Sequence, residues 1–129
     1  MPINRSADIA LRILITLSGR SSQKITISQL AQSIAVPQRY VGKLVQRLAT
    51  IGWVLTTRGR GGGLAISADG SRATPAEVIQ VLGDGWPDID CHQPPCPLLA
   101  KGCGLRELLG RADAAFMATL GQVSMRELG

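Results

Sequence analysis

The sequence predicts a mainly α-helical chain that carries one small β-hairpin. Three observations predict it. Apolar residues recur at helical spacing in five stretches between residues 5 and 120. A single pair of β-rich segments flanks one glycine-rich turn. Aliphatic residues are plentiful, whereas Tyr40, Trp53, Trp86 and Phe116 are the only aromatics, so the core must be built from Leu, Ile, Val and Ala. A length of 129 residues suits one compact domain, or a small domain with an arm.

The first helix is expected over residues 5–18, "RSADIALRILITLS", which contains neither Pro nor Gly. Its apolar residues cover most of the circumference, so it should be buried on more than one side, in a core or against a partner chain. Arg5, Asp8 and Arg12 share the remaining stripe. Ser28 is expected to cap a short second helix, "SQLAQSI", whose inner face is Leu30, Ala31 and Ile34. Pro37 fits the first turn of a third helix, about residues 37–50, where its missing N–H costs nothing. Val41, Leu44, Val45 and Leu48 form its apolar face, with Arg39, Lys43 and Arg47 opposite, and Gly52 ends it. Two short helices joined by a tight turn, the second amphipathic and basic, read as a helix-turn-helix.

Residues 53–57 and 64–67 flank Arg58-Gly59-Arg60-Gly61-Gly62-Gly63, a hairpin with a basic, glycine-rich tip. Directly after a helix-turn-helix, such a hairpin is a wing. Its glycines let the backbone approach phosphates, and its arginines can enter a minor groove. A plain flexible turn is the competing reading. A nucleotide-binding loop is not indicated, because neither Gly-Lys-Ser/Thr nor a βαβ unit follows. Thr74-Pro75-Ala76-Glu77 predicts a capping box and a helix over about 75–82, ended by Gly83. Residues 83–104, rich in Gly, Pro and Asp, read as an irregular loop. The last long helix, 105–120, places Leu105, Leu108, Leu109, Ala112, Ala115, Phe116 and Leu120 near one face. That stripe must be covered by the chain's own domain or by a partner's copy of the helix. A two-fold homodimer is the expectation, and Gly110 allows close helix approach. The organisation predicted is a winged helix-turn-helix DNA-binding domain over 1–72, its first helix shared with the dimer interface. A loop and dimerisation helix follow over 73–129.

Charge divides along the same line. The net charge is +5, but residues 1–60 hold nine Lys/Arg against the single acid Asp8, while residues 61–129 hold five against eight. A basic half joined to a mildly acidic one points to a polyanion-binding unit with a second function attached; a solvated basic surface is the alternative. No apolar run approaches the length of a membrane span, and the N-terminus "MPINRSAD" has no signal core, so a cytoplasmic protein is expected.

All three cysteines lie in "CHQPPCPLLAKGC", spaced Cys-x4-Cys-x6-Cys from Cys91 through Cys96 to Cys103. In a reducing cytosol this pattern favours metal ligands or reactive thiols over disulfides. Thiolate is the usual ligand of iron–sulfur iron. Pro94, Pro95 and Pro97 restrict the loop, and Gly102 and Gly104 leave room beside a bound group. Zinc held by three cysteines and one other ligand is a second reading. A metal-free thiol–disulfide sensor is a third. His92 adjoins Cys91, and neighbouring residues are sterically awkward as ligands to one metal, so it reads as exposed. A cysteine nucleophile would need an oriented base, and none is evident, so no enzyme is expected.

The order of "DIALRIL" in the first helix, the helix-turn-helix, "RGRGGG" after "LATIGWV", a capped fourth helix, the three-cysteine loop and a long final helix resembles the Rrf-two family of bacterial winged-helix repressors. The resemblance covers essentially the whole chain and is greatest to the family's nitric-oxide-sensing iron–sulfur branch. It implies a 4Fe-4S cluster, with 2Fe-2S as the alternative, on Cys91, Cys96 and Cys103. The partner subunit's Asp8 would be the fourth ligand, and Arg12 would offset the cluster's charge. Read from the residues alone, Asp8 has a competing role in a surface ion pair with Arg12 or Arg5. A second branch carries a histidine three residues after its last cysteine; here that position is Arg106. The cysteine gaps also depart slightly from the family's common patterns.

The implied function is a dimeric repressor of a double-stranded DNA operator, with nitric oxide as effector. Gln38, Arg39 and Tyr40, at the start of the recognition helix, are placed to reach base edges, Arg39 being suited to bidentate contact with guanine. Lys43 and Arg47 suit phosphates, and Arg58 and Arg60 a neighbouring minor groove or its backbone. The alternatives are the same fold sensing iron–sulfur or redox status, or a metal-free thiol or zinc sensor.

Overall fold

Helix α1 (Arg5–Gly19) is the element around which the rest packs. The computed structural model of the protein describes residues 3–20, 22–85 and 91–129. Trp86 and the 86–90 stretch of the expected cysteine loop lie outside the described residues. After α1 come α2 (Ile27–Ile34), α3 (Gln38–Ile51), β1 (Val54–Thr57), β2 (Gly63–Ile66), α4 (Ala68–Arg72) and α5 (Pro75–Leu82). A 3-10 turn at Leu99–Lys101, α6 (Leu105–Leu120) and α7 (Met125–Leu128) complete the order.

Asn4 starts α1 by accepting the Ala7 N–H at 2.8 Å. The helix then buries Ala7, Ile9, Ala10, Ile13, Leu14 and Leu17 and packs against α2, α3, α5, α7 and β2. This is the many-sided burial its all-round apolar character predicts. Leu30, Val41, Val45, Leu48, Val78 and Met125 fill the same core, and no polar or charged residue is buried among the described residues.

Two helix starts differ from expectation. Thr26, not Ser28, caps α2: its hydroxyl accepts the Gln29 N–H at 3.1 Å, and Gln29 Oε1 accepts the Thr26 N–H at 2.9 Å. A capping box satisfies two orphan donors at once, which Ser28 could not do from inside the first turn. Pro37 lies just outside α3 in extended conformation, its carbonyl accepting from the Tyr40 and Val41 N–H groups. Gly52, at φ 96°, ends α3 as expected.

The wing pairs β1 with β2 antiparallel, Val54 opposite Ile66 and Thr57 opposite Gly63. Ile25 adds a bridge to Leu64 through two backbone bonds of 3.2 and 2.7 Å, anchoring the hairpin to the helical domain. At its tip Gly59 and Gly61 have φ of 87° and 71°, and a Cβ on Gly62 would run into the Thr57 carbonyl. The glycines are therefore required by the turn itself.

Thr74 caps α5 by accepting the Glu77 N–H at 3.2 Å. The reciprocal half of the expected box is not made among the described residues. Two short helices were not foreseen. Ser67 caps α4, and α7 begins with a capping box in which Glu127 accepts the Ser124 N–H at 2.6 Å. Met125 of α7 is fully buried, and its N–H donates to Ala73 at 2.8 Å. Helices of four or five residues are too short to show a period.

Helix α6 buries nothing completely. Phe116 and Leu120 lean on the core, whereas Leu105, Leu108 and Leu109 are 49, 56 and 40% exposed. No helix among the described residues is long and apolar enough to cross a membrane.

Candidate nucleic-acid interface and cysteine site

The capped turn between α2 and α3 and the Ile25–Leu64 bridge set α3 beside the wing. Between them lies an open groove of about 950 Å³. Gln38, Arg39 and Lys43 of α3 and Arg58 of the wing line it, so four of the residues expected to meet DNA face one surface. No acid lines it. Gln46, Thr50 and Thr56 also line it and were not anticipated. Their signal was available, since Gly42, Gln46 and Thr50 recur every four residues beside the basic row. Arg47 instead lines a neighbouring hollow with Lys43, Ile51 and Val81, and Arg60 is exposed at the wing tip. Lys24 is a further cation at the wing, its Nζ donating to Thr57 Oγ1 at 3.3 Å.

Tyr40 does not line this groove; it is 38% exposed, next to Arg39, which does. The Arg39 guanidinium lies over its ring at 5.2 Å from the centroid, and the Arg5 guanidinium of α1 at 5.1 Å. Both are within cation–π range.

Cys91, Cys96 and Cys103 line a single cavity of about 440 Å³ with Leu98, Leu99, Leu105, Arg106 and Glu107. Backbone bonds bring them to it. Cys96 N–H donates to Cys91 O at 2.9 Å, and Cys103 N–H to Leu98 O at 3.2 Å. Gly102, at φ 74°, closes the 3-10 turn between them. All three thiols are free, Cys91 and Cys96 half-buried and Cys103 exposed. Three soft donors on a mostly apolar cavity suit iron or zinc. Yet among the described residues no three His, Cys, Asp or Glu side chains of the one chain stand together as a metal-holding group. His92 is exposed and forms a bridge with Pro95.

Asp8 does not line this cavity. Arg12 holds it instead, Nε to Oδ1 at 3.0 Å and a terminal guanidinium nitrogen to Oδ2 at 3.2 Å. The pair is half-exposed, 54% for Arg12 and 48% for Asp8. An i,i+4 pair at that exposure contributes only about 0.3–0.5 kcal/mol, so Asp8 can leave it at little cost.

The chain is 30% identical to the HTH-type transcriptional regulator NsrR of Bacillus subtilis, covering 99% of this chain and 90% of that protein. It is 31% identical to the HTH-type transcriptional repressor NsrR of Streptomyces coelicolor, covering 99% and 88%. The crystal structure of Staphylococcus aureus CymR in its oxidized form shares the fold, with a TM-score of 0.78 at 20% identity, covering 99% of this chain and 95% of that one. These are names of transcriptional regulators, not of enzymes. The Rrf2 family, described as an iron-dependent transcriptional regulator, matches residues 3–129, and the chain belongs to that family.

Proposed function

We propose that the chain is a dimeric, cytoplasmic repressor that binds operator DNA through α3 and the wing and senses nitric oxide through an iron–sulfur cluster. The observation that carries the reading is the gathering of all three cysteines on one cavity at the start of a helix whose first turns are exposed. The match to NsrR proteins over nearly the whole chain supports it. Residues 1–72 act as the reading head, and residues 73–129 as sensor and dimer arm.

Two α3 helices, one per protomer, enter major grooves about one helical turn apart or a multiple of it. Arg39 reads a base edge, with Gln38 and Tyr40 beside it. Lys43 and Arg47 hold phosphates, and Arg58 and Arg60 the adjoining backbone or minor groove. Cys91, Cys96 and Cys103 would hold the cluster, 4Fe-4S as the family resemblance implies, with the partner subunit's Asp8 as fourth ligand. When bound, that group supplies iron open to a small diatomic ligand. Asp8 belongs to the reading head, so it has two states: paired with Arg12 in its own chain, or committed to the facing sensor loop. Commitment fixes the spacing of the two heads, and return to Arg12 releases it. Arg12, freed of Asp8, offsets negative charge at the sensor.

The test uses a duplex selected from a random-sequence library by the anaerobically prepared protein. Nitric oxide should release the wild type from it, measured by fluorescence anisotropy. Asp8→Ala should hold the cluster poorly or ignore nitric oxide. Normal nitric-oxide-driven release by Asp8→Ala would contradict the switch. A second reading, thiol-based or zinc-based sensing on the same fold, is supported by the three cysteines sharing one cavity, with Cys103 exposed. It predicts a colourless protein.

A further inference from the structure

Arg5 was read from the sequence as part of the polar stripe of α1 and a candidate ion-pair partner of Asp8, yet its guanidinium lies over Tyr40 of α3. The ring receives a second guanidinium from Arg39. Each is about 5 Å from one centroid, so the two charges stand within roughly one Debye length of each other, ~10 Å at 0.1 M salt. Neither forms an ion pair among the described residues, and Asp8, the acid on the same stripe, is taken by Arg12. Each guanidinium is attracted to the same ring, so the ring couples the position of Arg39 to that of Arg5. The face in question adjoins the acid-free groove that Arg39 lines. Tyr40 also offers rigid area with few torsions to hold, so a cation on its ring fixes the neighbouring Arg39 at small entropic cost.

We infer that Arg5 is a positioning residue of the DNA-reading surface: by holding the Tyr40 ring it fixes Arg39 for base contact. This rests on the DNA-binding reading of α3. It also makes the N-terminal turn of α1, the turn that carries Asp8, a direct support of the recognition helix.

The experiment is a double-mutant cycle in DNA affinity, read on the selected duplex and on random-sequence duplex across a salt series. Arg5→Ala should weaken the selected duplex roughly three- to fivefold, the size of an exposed cation–π contact, and random duplex by much less. The same substitution in a Tyr40→Leu background should have no further effect. The salt slope of Arg5→Ala should match the wild type, because no phosphate contact is lost. Thermal unfolding of each variant should stay near wild type, as both side chains are exposed. An Arg5→Ala effect that is additive with Tyr40→Leu and flattens the salt slope by about one would overturn the inference in favour of a direct phosphate contact. No effect of Arg5→Ala on either duplex would overturn it too. A wild type that selects no duplex at all would instead remove the DNA-binding reading beneath it.

Discussion

Arg39 and Lys43 lie one turn apart on α3 and line the same groove, yet they should fail differently when removed. Arg39→Ala should cost about 1–3 kcal/mol on the selected duplex and relax preference at one base pair. Lys43→Ala should weaken all duplexes alike and reduce the salt slope by about one. Anisotropy across a salt series separates the two. Gly70 is a structural counterpart: a Cβ there would collide with the Trp53 carbonyl, which is backbone and cannot swing away. Gly70→Ala should therefore lower stability by about 1–3 kcal/mol in urea unfolding, leaving the groove residues unchanged. The Arg39–Lys43–Arg47 row was legible because four-residue spacing needs only the helix period. The Arg5–Tyr40 contact was not, because it depends on how α1 and α3 cross. Asp8 was legible as one half of an ion pair with Arg12, and that pair is present.

Among the elements, the caps decide where helices start. Thr26→Ala removes the hydroxyl half of the α2 box and should cost about 1 kcal/mol, read by thermal or urea unfolding. In α7 the Ser124 backbone N–H, and then its side chain, hold the Glu127 carboxyl below the usual glutamate range. A carboxyl whose folded value is depressed adds stability above its unfolded value, and that contribution is lost as pH falls through the folded value. Residues 124–129 should thus lose amide protection selectively on acidification below the usual glutamate range, and Glu127→Gln should abolish that pH dependence. Hydrogen exchange followed by mass spectrometry reads both. The long helices and the wing were legible from period and from Gly/Pro punctuation, with ends within one residue of expectation. Helices α4 and α7 were hidden because their role is tertiary: one buried methionine and one backbone bond to Ala73 bring α7 back onto the core.

In the whole molecule, α6 stands out as an apolar helix face with little of its own chain to cover it. Leu108→Glu together with Leu109→Glu should convert a dimer to a monomer by light scattering while leaving helical content intact, since both residues are exposed in the single chain. The clustering of basic charge in the first half and of cysteines in the second was readable directly. A role for the partner subunit's Asp8 at the cysteine loop was implied by the family resemblance alone; within one chain Asp8 pairs with Arg12 and does not line the thiol cavity. Native mass spectrometry of the anaerobically purified protein, recorded with its visible spectrum, bears on this directly. A brown dimer whose mass exceeds that of two chains by one iron–sulfur cluster per subunit, and which loses that mass and colour on nitric oxide titration, is the result predicted. A colourless dimer that carries no iron after anaerobic reconstitution would contradict it.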